Sequence, residues 1–126
     1  MVGLIYVYRV VTFVPTKHGD EPEKNIAKII AAVNKVTPLQ YGKYDCVCWS
    51  SPPGEEQFRP LAGSNPTAGK EGELTSEPSV RLEFSVPKDG KLLQRVIDEA
   101  IVPNHPWEEP VIFYYQVIET RIKSNE

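Results

Sequence analysis

Few side chains in this sequence are of kinds that do chemistry, and most of them fall in three short stretches. The segment NHPWEEP, residues 104–110, sets His105 close to Glu108 and Glu109, with Trp107 between them. An imidazole beside two carboxylates could hold a divalent metal or pass a proton. The same residues also describe a rigid turn, in which Pro106 and Pro110 fix the chain, Trp107 packs and the acids face water. Taken alone, the residues favour the turn. The stretch GSNPTAGKE, residues 63–71, has the glycines and lysine of a phosphate-binding loop. It fails that pattern on three counts. Five residues, Ser64 to Ala68, separate the glycines instead of four, and Glu71 stands where a magnesium-binding hydroxyl is needed. Pro78 and a strand-like run follow, so there is no helix N-terminus to hold an anion. The glycines instead predict left-handed backbone in a compact turn. Third, Arg59 in QFRPL lies beside Phe58, where a guanidinium could receive a carboxylate or phosphate, or pair with a glutamate of a neighbouring subunit. The structural role is favoured. His18, in PTKHGD, is unremarkable by itself.

Other chemistries lack their residues. There is no G-x-S-x-G and no H-E-x-x-H, and with two histidines one chain cannot build a metal site from several. Cys46 and Cys48 are the only cysteines. Their spacing predicts two semi-buried thiols on one face of a strand, badly placed to bridge each other and too few for a four-ligand zinc site. The net charge of −3 supplies no basic field for nucleic acid. The N-terminal run MVGLIYVYRVVTFVP lacks a basic leader and a cleavage site, and no stretch reaches the roughly 18–20 apolar residues of a membrane span. A cytoplasmic protein without membrane or nucleic-acid partners is expected.

The elements that must position these residues follow from periodicity. Residues 4–14, rich in β-branched and aromatic side chains and stopped by Pro15, predict a strand. Ile26, Ile29, Ile30, Val33 and Val36 form one helical stripe over residues 22–36, which ends at Thr37-Pro38. Residues 43–51 predict a second strand, and 56–61 a returning hairpin arm. Residues 62–78 predict a long loop, a kind that is usually functional or mobile. Residues 79–86 alternate like a strand, 89–101 carry a second apolar helical stripe, and 110–120 predict a last strand. The 126 residues are thus one domain of two similar halves, TFVPTK leading one helix and FSVPKD the other. Two β-α-β halves in series give a ferredoxin-like β-α-β-β-α-β α+β fold, with both helices on one face of an antiparallel sheet. The other face is left bare, and with Tyr6, Tyr8, Val10, Phe113, Tyr115 and Val117 in the strands, self-association is expected.

The order of YGKYDCVCWSS, FRPLAGSNPTAGKEGEL, VRLEFSVP and HPWEEPVIFYYQV resembles the insertion domain of the NGG-interacting-factor-three-like, or YqfO, proteins. The resemblance runs from about Tyr6 to Gln116 and implies a domain of the CutA and PII type, in a stand-alone version. Members of that superfamily often trimerise through their sheets, so a homo-oligomer is implied, a trimer before a dimer. The dinuclear metal site of the full-length proteins lies in a different domain, so neither it nor the cyclohydrolase name carries over. The signature positions that fall in the candidate ligand site are Tyr44, Phe58, Arg59, Gly63, Asn65, Gly69, His105, Glu108 and Glu109. Trp107 replaces the family's usual Tyr, and the family's cysteine falls at Val47. The expectation is a binding or regulatory module, not an enzyme, with a small-molecule or metal cleft where the loop and the turn meet. The alternatives are a CutA-like metal protein using His105, Glu108, Glu109 and Cys46 or Cys48, a purely structural oligomerisation module, and, last, a relative of the hydrolases.

Overall fold

A computed structural model describes residues 1–123. Strand β1 (Val2–Pro15) leads through a tight 3-10 turn (Pro22–Lys24) into helix α1 (Asn25–Val36). Short strands β2 (Trp49–Ser50) and β3 (Gly54–Phe58) precede the long β4 (Thr75–Pro87). Helix α2 (Gly90–Arg95) runs on through a widened π-helical stretch (Val96–Ile101) and a last turn (Val102–Asn104), and β5 (Ile112–Ile122) closes the chain. The sheet is antiparallel in the order β2-β4-β1-β5, with β3 also on β4. Because β2 and β3 lie end to end along one edge of β4, they act as a single interrupted strand. The four positions then reproduce the ferredoxin-like arrangement expected of two β-α-β halves.

Val10 stands opposite Phe84 and Val14 opposite Val80, so the even residues of β1 and β4 share the helix face. There Val10, Val14, Leu82, Phe84 and Val86 meet Ile29 and Val33 of α1 and Leu93, Val96, Ala100 and Ile101 of the second helix. Each fully buried aliphatic or aromatic side chain of this core contributes about 1.5–3 kcal/mol. Asp89 caps α2, its carboxylate accepting from the N–H groups of Lys91 (3.0 Å) and Leu92 (3.2 Å). The helix widens just ahead of Pro103, which lacks an N–H for the Glu99 carbonyl and would press its ring against it.

Three features differ from the sequence reading. Residues 43–48 are not a strand. Tyr41 and Tyr44 exchange two backbone hydrogen bonds around Gly42-Lys43, and the N–H groups of Cys46 and Val47 turn back to the carbonyls of Pro38 and Leu39. Leu39 and Cys46 both take left-handed angles (φ 51° and 54°), which break any ladder. Both cysteines are therefore exposed and free instead of semi-buried on a strand face. Second, β3 prolongs β2 along β4 and does not return as a hairpin arm. Third, the open face of the sheet is not uniformly apolar. Arg9 donates to Glu83 (2.9 Å) and Ser85 (3.0 Å), Arg81 to Glu83 (2.8 Å), Ser85 to Glu119 (2.6 Å) and Arg121 to Glu119 (3.1 Å). This charge ladder crosses β4, β1 and β5, with Trp49, Phe113 and Tyr115 exposed around it. Burial alone would raise the Glu83 carboxyl, but the two guanidinium groups outweigh it and hold it below the usual carboxylate range. Among the described residues no helix is long and apolar enough to cross a membrane.

Candidate functional site

The chain leaves β1 at Pro15 and must turn sharply to enter α1. Buried Asn25 ties that corner, donating to the carbonyls of Pro15 (3.1 Å) and His18 (2.7 Å). Gly19 (φ +97°) lies so close to Pro106 that an added Cβ would stand 3.1 Å from the proline Cβ. The corner therefore seats against the 104–110 turn only with glycine there. This contact places His18 beside Trp107, ring centroids 5.6 Å apart. Phe58, at the end of β3, packs edge-on against the same indole at 5.6 Å.

Two carboxylates hold these rings. His18 Nε2 meets Glu77 Oε2 at 2.8 Å. Trp107 Nε1–H donates to Glu56 Oε1 at 3.1 Å, and the Ser79 hydroxyl donates to the same oxygen. Glu56 and Glu77 are partners in the β3–β4 register, so both are aimed at the site by the sheet edge. The Nδ1 atom of His18 has no partner among the described residues, and the ring is partly exposed. The cluster thus offers solvent one imidazole nitrogen on an aromatic platform.

His105 serves the architecture. It is buried, its Nε2–H donates to the Phe13 carbonyl (2.8 Å) and its Nδ1 accepts the Trp107 N–H (3.1 Å). Burial pushes its pKa below that of a free imidazole, against the opposing pull of the Phe13 carbonyl and the Glu56 charge. With both nitrogens engaged, it has no lone pair to offer a metal. No group of three or more His, Cys, Asp or Glu is arranged to hold a metal ion among the described residues.

The long loop, residues 59–74, and the turn meet within one chain. The Asn65 N–H donates to Glu108 Oε2 (2.8 Å), and the Thr67 hydroxyl donates to the Pro106 carbonyl (2.6 Å). The loop closes on itself through Gly72 N–H to Pro60 O (2.8 Å) and Ser64 N–H to Leu61 O (3.1 Å). The left-handed glycines are where the sequence puts them, Gly63 at φ +90° and Gly69 at φ +83°. At Gly69 a Cβ would stand 2.6 Å from the Thr75 hydroxyl, so the close approach itself demands glycine. Phe58, Asn65, Glu108 and the His105 backbone turn are thus brought together. Arg59 and Glu109 are exposed nearby in sequence, without an ion pair among the described residues. Tyr44 is not brought in. It sits exposed in the Tyr41 turn, whose other tyrosine contacts Thr120 and Arg121. His18, Glu56, Glu77, Ser79 and Thr67 belong to the site but escape sequence reasoning. The one available signal was His18 at the strand–helix corner.

The fold is that of a ferredoxin-like domain of the CutA type. CutA from Xylella fastidiosa superimposes with a TM-score of 0.55 over 88% of this chain and 83% of its own, at 14% identity. A Bacillus cereus protein related to NIF3 superimposes with a TM-score of 0.67 at 26% identity, over 91% of this chain and 26% of its own. A GTP cyclohydrolase 1 type 2 homolog of Staphylococcus epidermidis is 28% identical over 112 residues, 89% of this chain and 28% of the relative. No family model matches the chain. The chain is homologous to one segment of the NIF3-like proteins, and spans about a quarter of the length of the curated relatives it matches.

Proposed function

We propose that this chain is a self-associating binding or regulatory module that takes a small molecule where the 58–74 loop meets the 104–110 turn. The observation that carries the reading is the joining of these two segments in one chain by Asn65 to Glu108 and Thr67 to Pro106, beside a half-exposed aromatic platform. A scaffold that fixes a long glycine-rich loop against a proline-rigid turn loses little order on binding, which favours affinity. On this reading His18 Nδ1, the Asn65 side chain and Arg59 are the groups that meet the ligand. A thermal-shift screen against nucleotides, divalent metals and central metabolites tests it. A saturable rise with one class, abolished by His18→Ala, is expected; no shift at saturating concentration of any of them contradicts it.

Self-association through the open face is part of the proposal, a trimer before a dimer, in a cytoplasmic setting. It is supported by the exposed Trp49, Phe113 and Tyr115 around the charge ladder. Sedimentation equilibrium showing a stable monomer would defeat it. The metal reading, with His105, Glu108 and Glu109 as ligands, would require the His105 ring to release Phe13 or Trp107. Elemental analysis of the purified protein and of Glu108→Gln/Glu109→Gln settles that alternative.

A further inference from the structure

At the far end of β1 from the loop–turn site, the sheet has a free edge. β1 pairs with β5 from Val2 to Thr12, but β4 reaches only as far as Val7, which stands opposite Pro87. The Thr16 N–H donates to the Pro78 carbonyl on the β4 side. Strand alternation then points the N–H and C=O groups of Tyr6, Leu4 and Val2 to the same side, where β4 is missing. Among the described residues these groups have no backbone partner on that edge. Beside this edge lies a cleft of about 250 Å³ whose lining includes Ile5, Tyr6, Leu39, Val47, Lys88 and Arg121, together with Glu119, whose carboxylate is already paired with Arg121.

We propose that this cleft accepts an extended, carboxylate-bearing peptide segment that adds a strand along β1 in the line of β4. An edge with unsatisfied backbone donors and acceptors is a template for strand addition. Occupancy is limited to extended backbone by the in-register groups of Tyr6 and Leu4, which are 57% and 69% exposed and offer apolar contact to alternate side chains. The acidic preference follows from charge. Lys88 lies over the Tyr6 ring (5.5 Å) and has no carboxylate partner among the described residues. Arg121 stacks on Tyr41 at 3.8 Å and shares its charge with Glu119 alone. A side chain opposite Tyr6 falls on the face that Lys88 overhangs, so a glutamate there forms the new ion pair. The slot is separate from the loop–turn site and does not depend on it.

The test uses the whole chain and a fluorescein-labelled peptide, acetyl-Thr-Val-Glu-Val-Glu-Val-Thr-amide, read by anisotropy and by hydrogen exchange. Binding with new protection at the amides of Leu4 and Tyr6 is expected. A peptide N-methylated at alternate residues and the Lys88→Glu variant should each weaken binding about tenfold, and a peptide with Lys in place of Glu should recover part of the loss on Lys88→Glu. Lys88 is exposed, so its replacement leaves the fold intact. Equal binding of the N-methylated peptide, indifference to Lys88→Glu, or no binding up to millimolar peptide overturns the proposal. So does protection of Leu4 and Tyr6 before peptide is added, which would mean that a second copy of the chain fills the edge.

Discussion

Replacing Trp107 with phenylalanine removes one bond at the heart of the loop–turn site together with part of the indole's packing area, and the cycle with Glu56 separates the two. The ring still packs against His18 and Phe58, whose centroids each lie 5.6 Å from that of the indole. What disappears, besides the extra ring area of the indole, is its N–H donated to Glu56 at 3.1 Å. A hydrogen bond to an ionised group contributes about 1.5–3 kcal/mol when well buried. Glu56 is only half-buried and keeps the Ser79 hydroxyl as a donor, which places the loss of this bond at or just below that range, near 1–1.5 kcal/mol. For a domain of this length that is a fall in Tm of about 4–6 °C. Urea unfolding at neutral pH reads the free energy, with Trp49→Phe as control. Trp49 is half-exposed and its indole N–H has no hydrogen bond among the described residues, so its change should stay within about 0.5 kcal/mol. A double-mutant cycle with Glu56→Ala should return a coupling of about 1 kcal/mol. If Trp107→Phe is as stable as the parent and the coupling is zero, Glu56 does not hold the indole and the platform is not built as described.

Further predictions follow from particular contacts. Gly69→Ala should lose about 1–2 kcal/mol from its left-handed angle alone, and more from the clash with Thr75, measured by urea unfolding. His105 titrates lower in the folded state than in the unfolded chain, so the unfolded chain binds the extra proton first. Its contribution is complete above the unfolded value near 6.5 and is lost as pH falls through the folded value, at up to about 1.4 kcal/mol per pH unit. Unfolding curves between neutral pH and pH 5 should show that slope, and His105→Gln should flatten it. Glu83 is depressed, so its stabilisation holds above the normal carboxyl pKa and fades as acid protonates it; Glu83→Gln should remove that part of the acid sensitivity.

Much of the fold was legible because it rests on periodicity. The stripe through Ile26, Ile29, Ile30, Val33 and Val36 and the alternation of Val80, Leu82, Phe84 and Val86 each have a single packing solution, and the structure uses it. The second strand was misread because KYDCVCW alternates like a strand, while its backbone is claimed by local bonds to Pro38 and Leu39 and by the Tyr41–Tyr44 turn. Those bonds join residues by geometry that alternation does not encode. The charge ladder escaped for a related reason: Arg9, Glu83 and Glu119 are far apart in sequence and meet only through the strand register. At the site, the glycines and prolines announced a shaped loop and turn. His18, Glu56 and Glu77 announced nothing, since a single histidine and scattered glutamates acquire meaning only when β3 pairs with β4 and the corner at Gly19 closes on Pro106.

The central claim is that loop and turn form one unit in a single chain, and amide NMR of the Glu108→Gln variant tests it most directly. The Asn65 N–H donates to the Glu108 carboxylate at 2.8 Å, and weakening that acceptor must be felt by the donor. The Asn65 amide should shift and exchange faster, with smaller changes at Thr67 and at the Trp107 indole N–H. An unmoved Asn65 amide, with changes confined to the neighbours of residue 108 in sequence, would contradict the account.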